Sequence, residues 1–127
     1  MDINSYWNVV LAQKAKEIKN FFHPEASICW QDTNEKFTVD EFIQANCQYP
    51  GEWSGLIKRI EKIDNLIITV THVWEINEPL EFHVTSFIKV EDNKIVSIDE
   101  YWGNIEETPQ WRLDLKLGKP INKKINK

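Results

Sequence analysis

Apolar residues in the first part of the chain recur at three- and four-residue spacing, which is typical of a helix. Asn4 or Ser5 can cap this helix, which is predicted to run to about Asn20. Pro24 restricts the residue before it and ends the helical run at about Phe22. The apolar stripe of the predicted helix consists of Trp7, Val10, Leu11, Ala15 and Ile18.

A second helix is predicted after a short strand at residues 26–31 and a polar turn at residues 32–35. Thr38 followed by Glu41 is the signature of a capping box, which begins a helix. The sequence Y-P-G at residues 49–51 ends it, because proline and glycine together favour a turn. The apolar face of this second helix consists of Val39, Phe42, Ile43 and Cys47.

The rest of the domain has the pattern of extended strands joined by short turns. The turns are predicted at Asp64-Asn65, Glu78-Pro79 and Asp92-Asn93, and hairpin joints of this length predict an antiparallel meander. Helices followed by a meander indicate an α+β fold, in which the sheet curls to bury its inner face against the N-terminal helices. The four strands are predicted at residues 56–63, 66–77, 80–90 and 94–103.

The last of these strands carries a carboxylate on its apolar side. Val96, Ile98, Glu100 and Trp102 share one face by alternation, and an unpaired buried charge costs several kcal/mol, on the order of the desolvation penalty of an ion. Glu100 is therefore either paired inside a pocket or placed where the strand end reaches water.

Composition and charge limit the classes of function. Six Trp, six Phe and three Tyr in 127 residues suit both a core and a ligand cavity in one domain. Residues 112–127 carry six basic and one acidic residue, which leaves a net charge of −10 on residues 1–111 and argues against nucleic acid as the partner. The basic C-terminal extension, residues 113–127, is interpreted as solvated.

Other site classes are not supported by any motif. Cys29 and Cys47 have neither zinc-ligand spacing nor a pattern that supports a disulfide. No phosphate-binding glycine loop, nucleophile elbow or metal motif occurs, so no metal and no cofactor are expected. The sequence shows no apolar run of membrane-spanning length and no leader pattern, so we expect a cytoplasmic protein with no membrane partner.

Four stretches carry a resemblance to a known family. They are K-I-V-S-I-D-E-Y-W-G-N at residues 94–104, N-C-Q-Y-P-G-E-W at 46–53, H-V-T-S-F-I-K-V at 83–90 and P-Q-W-R at 109–112. With the predicted order of elements, residues 1–112 resemble the SnoaL-like branch of the nuclear transport factor 2-like superfamily. The resemblance implies a cone-shaped curled sheet that encloses an apolar pocket with the helices, and a homodimer formed through the outer face of the sheet.

The superfamily includes ketosteroid isomerases, polyketide cyclases, epoxide hydrolases, dehydratases and binding subunits, so the fold alone does not define the function. By resemblance, the catalytic-base position of the isomerases falls on Trp30, which cannot accept a proton, and Asp32 lies two residues further. The position of the acid that helps to hold the oxyanion falls on Thr85. Steroid-type isomerisation by that arrangement is therefore not expected.

A different acid/base set is predicted from the strands. The resemblance implies that His83, Thr85 and Phe87 point inward, beside Glu100. The parity of the preceding strand would then bring His72 to the same cavity. A histidine beside a carboxylate is a workable proton-transfer pair. The alternation rule favours the opposite orientation of His83, because the more apolar parity of its strand consists of Leu80, Phe82, Val84, Ile88 and Val90.

The sequence thus leaves two functions open. One is binding of an apolar or aromatic small molecule in an enclosed pocket, with cofactor-free lyase, isomerase or hydrolase chemistry; the other is a non-catalytic ligand-binding or dimeric interaction domain. The candidate catalytic residues are Glu100, His83, His72 and Asp32. The candidate pocket residues are Trp7, Trp30, Tyr49, Trp74, Thr85, Phe87, Ile98 and Trp102.

Overall fold

The computed structural model describes residues 1–122. The last five residues of the predicted C-terminal extension, residues 123–127, lie outside the described part of the chain. The helices are α1 (Ile3–Leu11), α2 (Ala15–Lys19), α3 (Val39–Gln48) and α4 (Gln110–Asp114), and a 3₁₀ turn spans Gln31–Thr33. The strands are β1 (Phe22–Trp30), β2 (Glu35–Thr38), β3 (Trp53–Ile63), β4 (Leu66–Glu75), β5 (Glu81–Glu91) and β6 (Lys94–Asn104). In the described part of the chain, no helix is long and apolar enough to cross a membrane.

The predicted first helix is two helices, so the prediction of one continuous helix to Asn20 was wrong. Asp2 caps α1 by accepting from the backbone N–H groups of Asn4 and Ser5, at 3.0 and 3.3 Å. Gln13 then takes a left-handed conformation, with φ of 56°, and separates α1 from α2. Its side chain is bonded to the chain around the end of α3, which stabilises this break.

Helix α3 begins where the capping box predicts. The Glu41 backbone N–H donates to Thr38 Oγ1 at 3.2 Å, and the Thr38 backbone N–H donates to Glu41 Oε1 at 2.9 Å. Two of the otherwise unpaired groups at the helix start are thereby satisfied. The helix ends at Gln48, directly before the Y-P-G turn.

All six strands form one sheet in the order β2-β1-β6-β5-β4-β3, with β1 parallel to β6 and the other neighbours antiparallel. Strands β3 to β6 form the predicted meander, and the α+β class is confirmed. Asp64, Asp92 and Asn93 have positive φ, as the tight turns between these strands require. Register shifts in β1, in β3 and at the β5–β6 pair are irregularities of the kind that bends strands and increases twist.

One face of the sheet packs against the helices and forms the core. Along β4 the residues alternate between half-buried and buried, and the buried parity is Ile67, Thr69, Thr71, Val73 and Glu75. On β5 the buried residues are Val84, Ser86 and Ile88, and on β6 they include Ile98 and Glu100. From the helices, Tyr6, Trp7, Val10, Ile18, Val39 and Phe42 complete this core.

The predicted orientations of two strands were wrong. Strand β4 turns His72 and Trp74 to the outer face, and β5 turns His83, Thr85 and Phe87 to the same face. The alternation rule was the better guide, because the inner parity of β5 is the one that fills the core. For β6 the predicted inward orientation of Ile98, Glu100 and Trp102 agrees with the structure.

Candidate functional site

A cavity of about 420 Å³ lies between α1, α3 and the inner face of the sheet. Its volume falls in the range of small-molecule sites, roughly 300–1,000 Å³. Six aromatic side chains line it: Trp7, Trp30, Tyr49, Trp53, Phe82 and Trp102. The other lining residues are the aliphatic Val10, Leu11, Ala45 and Val73 and the polar Gln13, Asp32, Thr33, Asn46 and Asn104.

Five of the aromatic rings form a continuous wall. Trp30 meets Trp102 with ring centroids 6.3 Å apart and planes at 74°, and Trp102 meets Phe82 at 5.8 Å and 81°. Phe82 then contacts Trp53 at 5.9 Å, and Trp53 contacts Tyr49 at 5.4 Å. Edge-to-face pairs are favourable arrangements of aromatic rings. Because neighbouring rings in the wall are tilted or nearly perpendicular, their faces point in several directions.

Three of the four tryptophans that line the cavity donate their indole N–H within the protein. Trp7 Nε1 donates to Thr69 Oγ1 at 3.3 Å, and Trp53 Nε1 donates to the Pro50 carbonyl at 3.1 Å. The Trp30 indole donates to the buried carboxylate of Glu100. Since a tryptophan has one side-chain donor, these three residues offer a ligand their apolar rings and no N–H.

Two amide side chains at the cavity also donate hydrogen bonds to other groups of the protein. Gln13 Nε2 donates to the carbonyls of Asn46 and Tyr49, at 2.8 and 2.9 Å, and Asn46 Nδ2 donates to the Val10 carbonyl at 3.0 Å. These bonds join the break between α1 and α2 to the end of α3. The residues that fix the break in the first helix thus also shape the cavity.

Among residues 1–122, Asp32 is the only residue lining the cavity that carries a formal charge. It lies in the 3₁₀ turn after β1, and its carboxylate accepts the backbone N–H of Trp102. This bond holds the carboxylate beside the aromatic wall. None of the three histidines of the chain, all within the described residues, lines the cavity.

Glu100 lies behind the aromatic wall and does not line the cavity. Cross-strand register places it directly between Ser86 on β5 and Trp30 on β1, all three on the inner face. Ser86 Oγ donates to Glu100 Oε2 at 2.6 Å, and Trp30 Nε1 donates to Glu100 Oε1 at 3.1 Å. Glu100 is 3% exposed, so its carboxylate is shielded from water, and these two hydrogen bonds go to Ser86 and Trp30 rather than to a histidine.

Burial controls the protonation of this carboxylate. Desolvation raises the pKa of Glu100 above its usual value, while the hydrogen bonds from Ser86 and Trp30 oppose the rise. The neighbouring Tyr6 is also buried, and its pKa is raised well above the usual value by desolvation and then by the charge of Glu100. Both groups are therefore disfavoured in their ionised forms.

The two histidines predicted to act with Glu100 lie on the opposite face of the sheet. His72 and His83 are cross-strand partners, with rings 5.7 Å apart. His72 Nε2 lies 2.8 Å from Glu81 Oε1, and its ring packs 4.8 Å from Trp74. A direct proton transfer between Glu100 and either histidine would have to cross the sheet, so this geometry does not assemble the predicted pair.

The pocket residues predicted from the sequence divide between the two faces. Trp7, Trp30, Tyr49 and Trp102 line the cavity, whereas Ile98 lies in the core. Trp74, Thr85 and Phe87 lie on the outer face. Sequence reasoning did not assign Gln13, Asn46, Phe82 and Asn104 to the cavity, although the parity of β5 indicated that Phe82 points inward.

Metal chemistry is not indicated by the side chains of residues 1–122. In this range no group of three or more His, Cys, Asp and Glu residues is arranged to hold a metal ion. Cys29 and Cys47 are free thiols.

No family model and no curated protein matches this sequence, but solved structures match its fold. A candidate ketosteroid isomerase from Kribbella flavida has a TM-score of 0.76 and 17% identity, covering 93% of this chain and 87% of its own. A nuclear transport factor 2-like protein of unknown function from Burkholderia xenovorans gives 0.76 and 18%, over 94% and 92%. A candidate SnoaL-like polyketide cyclase from Shewanella putrefaciens gives 0.61 and 12%, over 76% and 74%.

The chain has the nuclear transport factor 2-like fold. The fold expected from the resemblance is confirmed. At these identities the likeness extends to the fold and not to the chemistry of the site.

A second buried glutamate provides a contrast with Glu100. Glu75, at the end of β4, accepts the backbone N–H groups of Glu52 at 3.0 Å, of Glu78 at 2.9 Å and of Asn77. These bonds lower the pKa of Glu75 below its usual value. Ionisation of Glu75 therefore stabilises the native state, whereas ionisation of Glu100 destabilises it.

We predict opposite pH dependence for Glu100→Gln and Glu75→Gln. A glutamine at position 100 can accept from Trp30 and donate to Ser86, so the substitution removes a charge that burial disfavours while it keeps both contacts. The variant should be more stable than the wild type at pH 7. Because the raised pKa penalises the native state only where the carboxylate is ionised, the gain should disappear as the pH falls below the usual glutamate range.

The same measurement on Glu75→Gln is the matched control. The lowered pKa of Glu75 stabilises the native state above the usual pKa, and this contribution is lost as the pH falls through the native-state value. The variant should therefore be less stable than the wild type at pH 7 and approach it in acid. Thermal unfolding between pH 3 and 8 measures both differences, and a Glu100→Gln protein that is destabilised at pH 7 would contradict this account.

Proposed function

We propose that this domain binds a small apolar or aromatic molecule in the cavity between α1, α3 and the sheet. The observation that carries the proposal is the aromatic wall around a cavity of about 420 Å³. Six aromatic side chains around one space supply a large apolar contact area, and the few polar groups can orient a ligand. The structures that match this fold include a candidate ketosteroid isomerase and a candidate SnoaL-like polyketide cyclase, which supports a small-molecule ligand for this domain.

The proposal concerns binding rather than turnover. The acid/base pairs predicted from the sequence, Glu100 with His83 or His72, are separated by the sheet. Asp32 is the carboxylate that a molecule in the cavity could reach, and we retain it as the candidate residue for contact with the ligand. Glu100 acts as a positioning residue for Trp30.

The six tryptophans give this proposal an internal control. We predict that the neutral probe 3-phenylpropan-1-ol shifts the indole N–H resonances of the tryptophans in the cavity, measured by ¹H–¹⁵N NMR. The resonance of Trp74 on the outer face and that of Trp111, which is 59% exposed on α4, should stay unchanged. The resonances expected to shift are those of Trp7, Trp30, Trp53 and Trp102.

Ala45→Phe is the blocking variant, because Ala45 lines the cavity from α3 and a phenyl ring there would occupy the ligand space. The probe should no longer shift the cavity resonances in this variant. Phe87→Ala, on the outer face, is the matched control and should retain binding. If the probe at millimolar concentration shifts none of the cavity indoles of the wild type, the proposed function is wrong.

We also propose that the outer face of the sheet forms a homodimer. Cross-strand partners share a face, and the outer face of β3 to β6 carries large apolar side chains in contact with solvent. Leu56 and Ile63 are 59% and 58% exposed, and Phe87 packs edge-to-face on the exposed Tyr101 with ring centroids 6.1 Å apart. A second copy of this face is the occupant we propose, because it would cover these residues on both protomers at once.

Analytical ultracentrifugation tests the dimer. The wild type should sediment as a dimer at micromolar concentration. The double variant Leu56→Asp with Phe87→Asp should sediment as a monomer, because each protomer would bring two charges into the interface, where they would be desolvated and would repel those of the partner. Leu113→Asp is the control, since Leu113 is exposed on α4 and outside this face. A wild type that remains monomeric up to millimolar concentration would contradict the proposal.

A further inference from the structure

We infer that the ligand of the cavity is an organic cation, an apolar or aromatic molecule that carries an ammonium group. This inference rests on the proposed binding function and adds the charge of the ligand to it. Three independent features of the cavity support it: the orientation of the aromatic rings, the use of the side-chain donors, and the position of the one formal charge.

The aromatic wall suits a cation. An ammonium group is attracted to the face of an aromatic ring within about 6 Å, and tryptophan is the best of the three aromatic residues for this contact. Four tryptophans line the cavity. The planes of Trp30 and Trp102 meet at 74° and those of Trp102 and Phe82 at 81°, so the rings of the wall turn their faces in more than one direction.

Several of the donors that an anionic or carbonyl ligand would need are already bonded within the protein. The indole N–H groups of Trp7, Trp30 and Trp53 donate to Thr69, Glu100 and Pro50. These three tryptophans can therefore bind a ligand through their rings alone.

The side-chain amides of Gln13 and Asn46 also donate within the protein. Both N–H bonds of Gln13 Nε2 are directed at backbone carbonyls, which leaves the side-chain oxygen as its remaining polar group. Asn46 also donates to a backbone carbonyl. The Trp102 indole, the Tyr49 hydroxyl, Thr33 and Asn104 can still donate to a polar group of the ligand. All four groups are uncharged, so none provides a countercharge for an anion.

The formal charge at the cavity is negative. Asp32 is held beside the wall by its bond to the backbone of Trp102, and no Lys, Arg or His from residues 1–122 lines the cavity. A carboxylate ligand would meet one fixed negative charge and no positive one. The net charge of −10 on residues 1–111 adds a longer-range attraction for cations.

Three probes with the same phenylpropyl body and different head groups test the inference. They are 3-phenylpropan-1-amine, which is an ammonium ion at pH 7, the neutral 3-phenylpropan-1-ol and the anion 3-phenylpropanoate. Dissociation constants come from titrations of the cavity indole resonances by NMR. We expect the ammonium probe to bind about tenfold more tightly than the alcohol, and the carboxylate to bind most weakly.

Asp32→Asn isolates the local charge, because asparagine keeps an oxygen that can accept the Trp102 N–H. The affinity of this variant for the ammonium probe should fall about fivefold, while its affinity for the alcohol stays the same. Asp99→Asn is the matched control: it removes the same charge from an exposed aspartate that bonds Gln31 at 2.9 Å and does not line the cavity. Its affinity for the ammonium probe should stay close to that of the wild type.

The outcomes separate this inference from the proposed function. If the alcohol or the carboxylate binds as tightly as the ammonium probe, the charge inference is overturned and the binding function stands. If Asp99→Asn weakens the ammonium probe as much as Asp32→Asn does, the local role of Asp32 is overturned. If none of the three probes shifts the cavity indoles, the proposed function itself fails.

Discussion

The buried carboxylate of Glu100 is the constraint on which the site depends. A carboxylate that is 3% exposed needs hydrogen-bond donors, and the strands beside β6 provide them in Ser86 and Trp30. The bond to Glu100 fixes the Trp30 indole with its N–H directed away from the cavity. Trp30 also packs edge-to-face on Phe37 of β2, with ring centroids 4.7 Å apart, and on Phe42 of α3 at 6.2 Å. Contacts with β6, β2 and α3 therefore fix the position of its ring.

This arrangement separates the buried charge from the surface that a ligand would contact. Glu100 lies behind the wall, the indole ring of Trp30 forms part of the wall, and Asp32 supplies the charge on the cavity side. The same principle applies to Trp7 and Trp53, because their indole N–H groups also donate within the protein and their rings remain for binding. An apolar cavity with one anchored carboxylate is the result.

Local sequence signals predicted much of the fold. The capping box at Thr38, the Y-P-G stop and the turns at Asp64 and Asp92 depend on neighbouring residues, and each was located correctly from the sequence. The break at Gln13 was missed because its stabilising bonds go to Asn46 and Tyr49, more than thirty residues away. A helical stripe of apolar residues does not report such a tertiary contact.

The site was predictable only in part, for the same kind of reason. Glu100 on an apolar strand face was recognised as anomalous, and its burial agrees with that interpretation. The orientation of His83 was taken from the resemblance, although the apolar parity of β5 indicated the outer face, where the structure places it. Apolar residues on both faces of β4 and β5 obscured the alternation, since a sheet with an apolar outer face has no clear polar side.

The side-chain carboxyl ¹³C resonances of Asp32 and Glu100 test the separation of the two carboxylates most directly. They would be followed by NMR at pH 7 while 3-phenylpropan-1-amine is added to the wild-type protein. The account predicts that the Asp32 resonance shifts with the occupancy of the cavity and that the Glu100 resonance changes little. A large shift of Glu100 with an unchanged Asp32 would contradict it, because the ligand would then lie against the carboxylate that we place behind the wall.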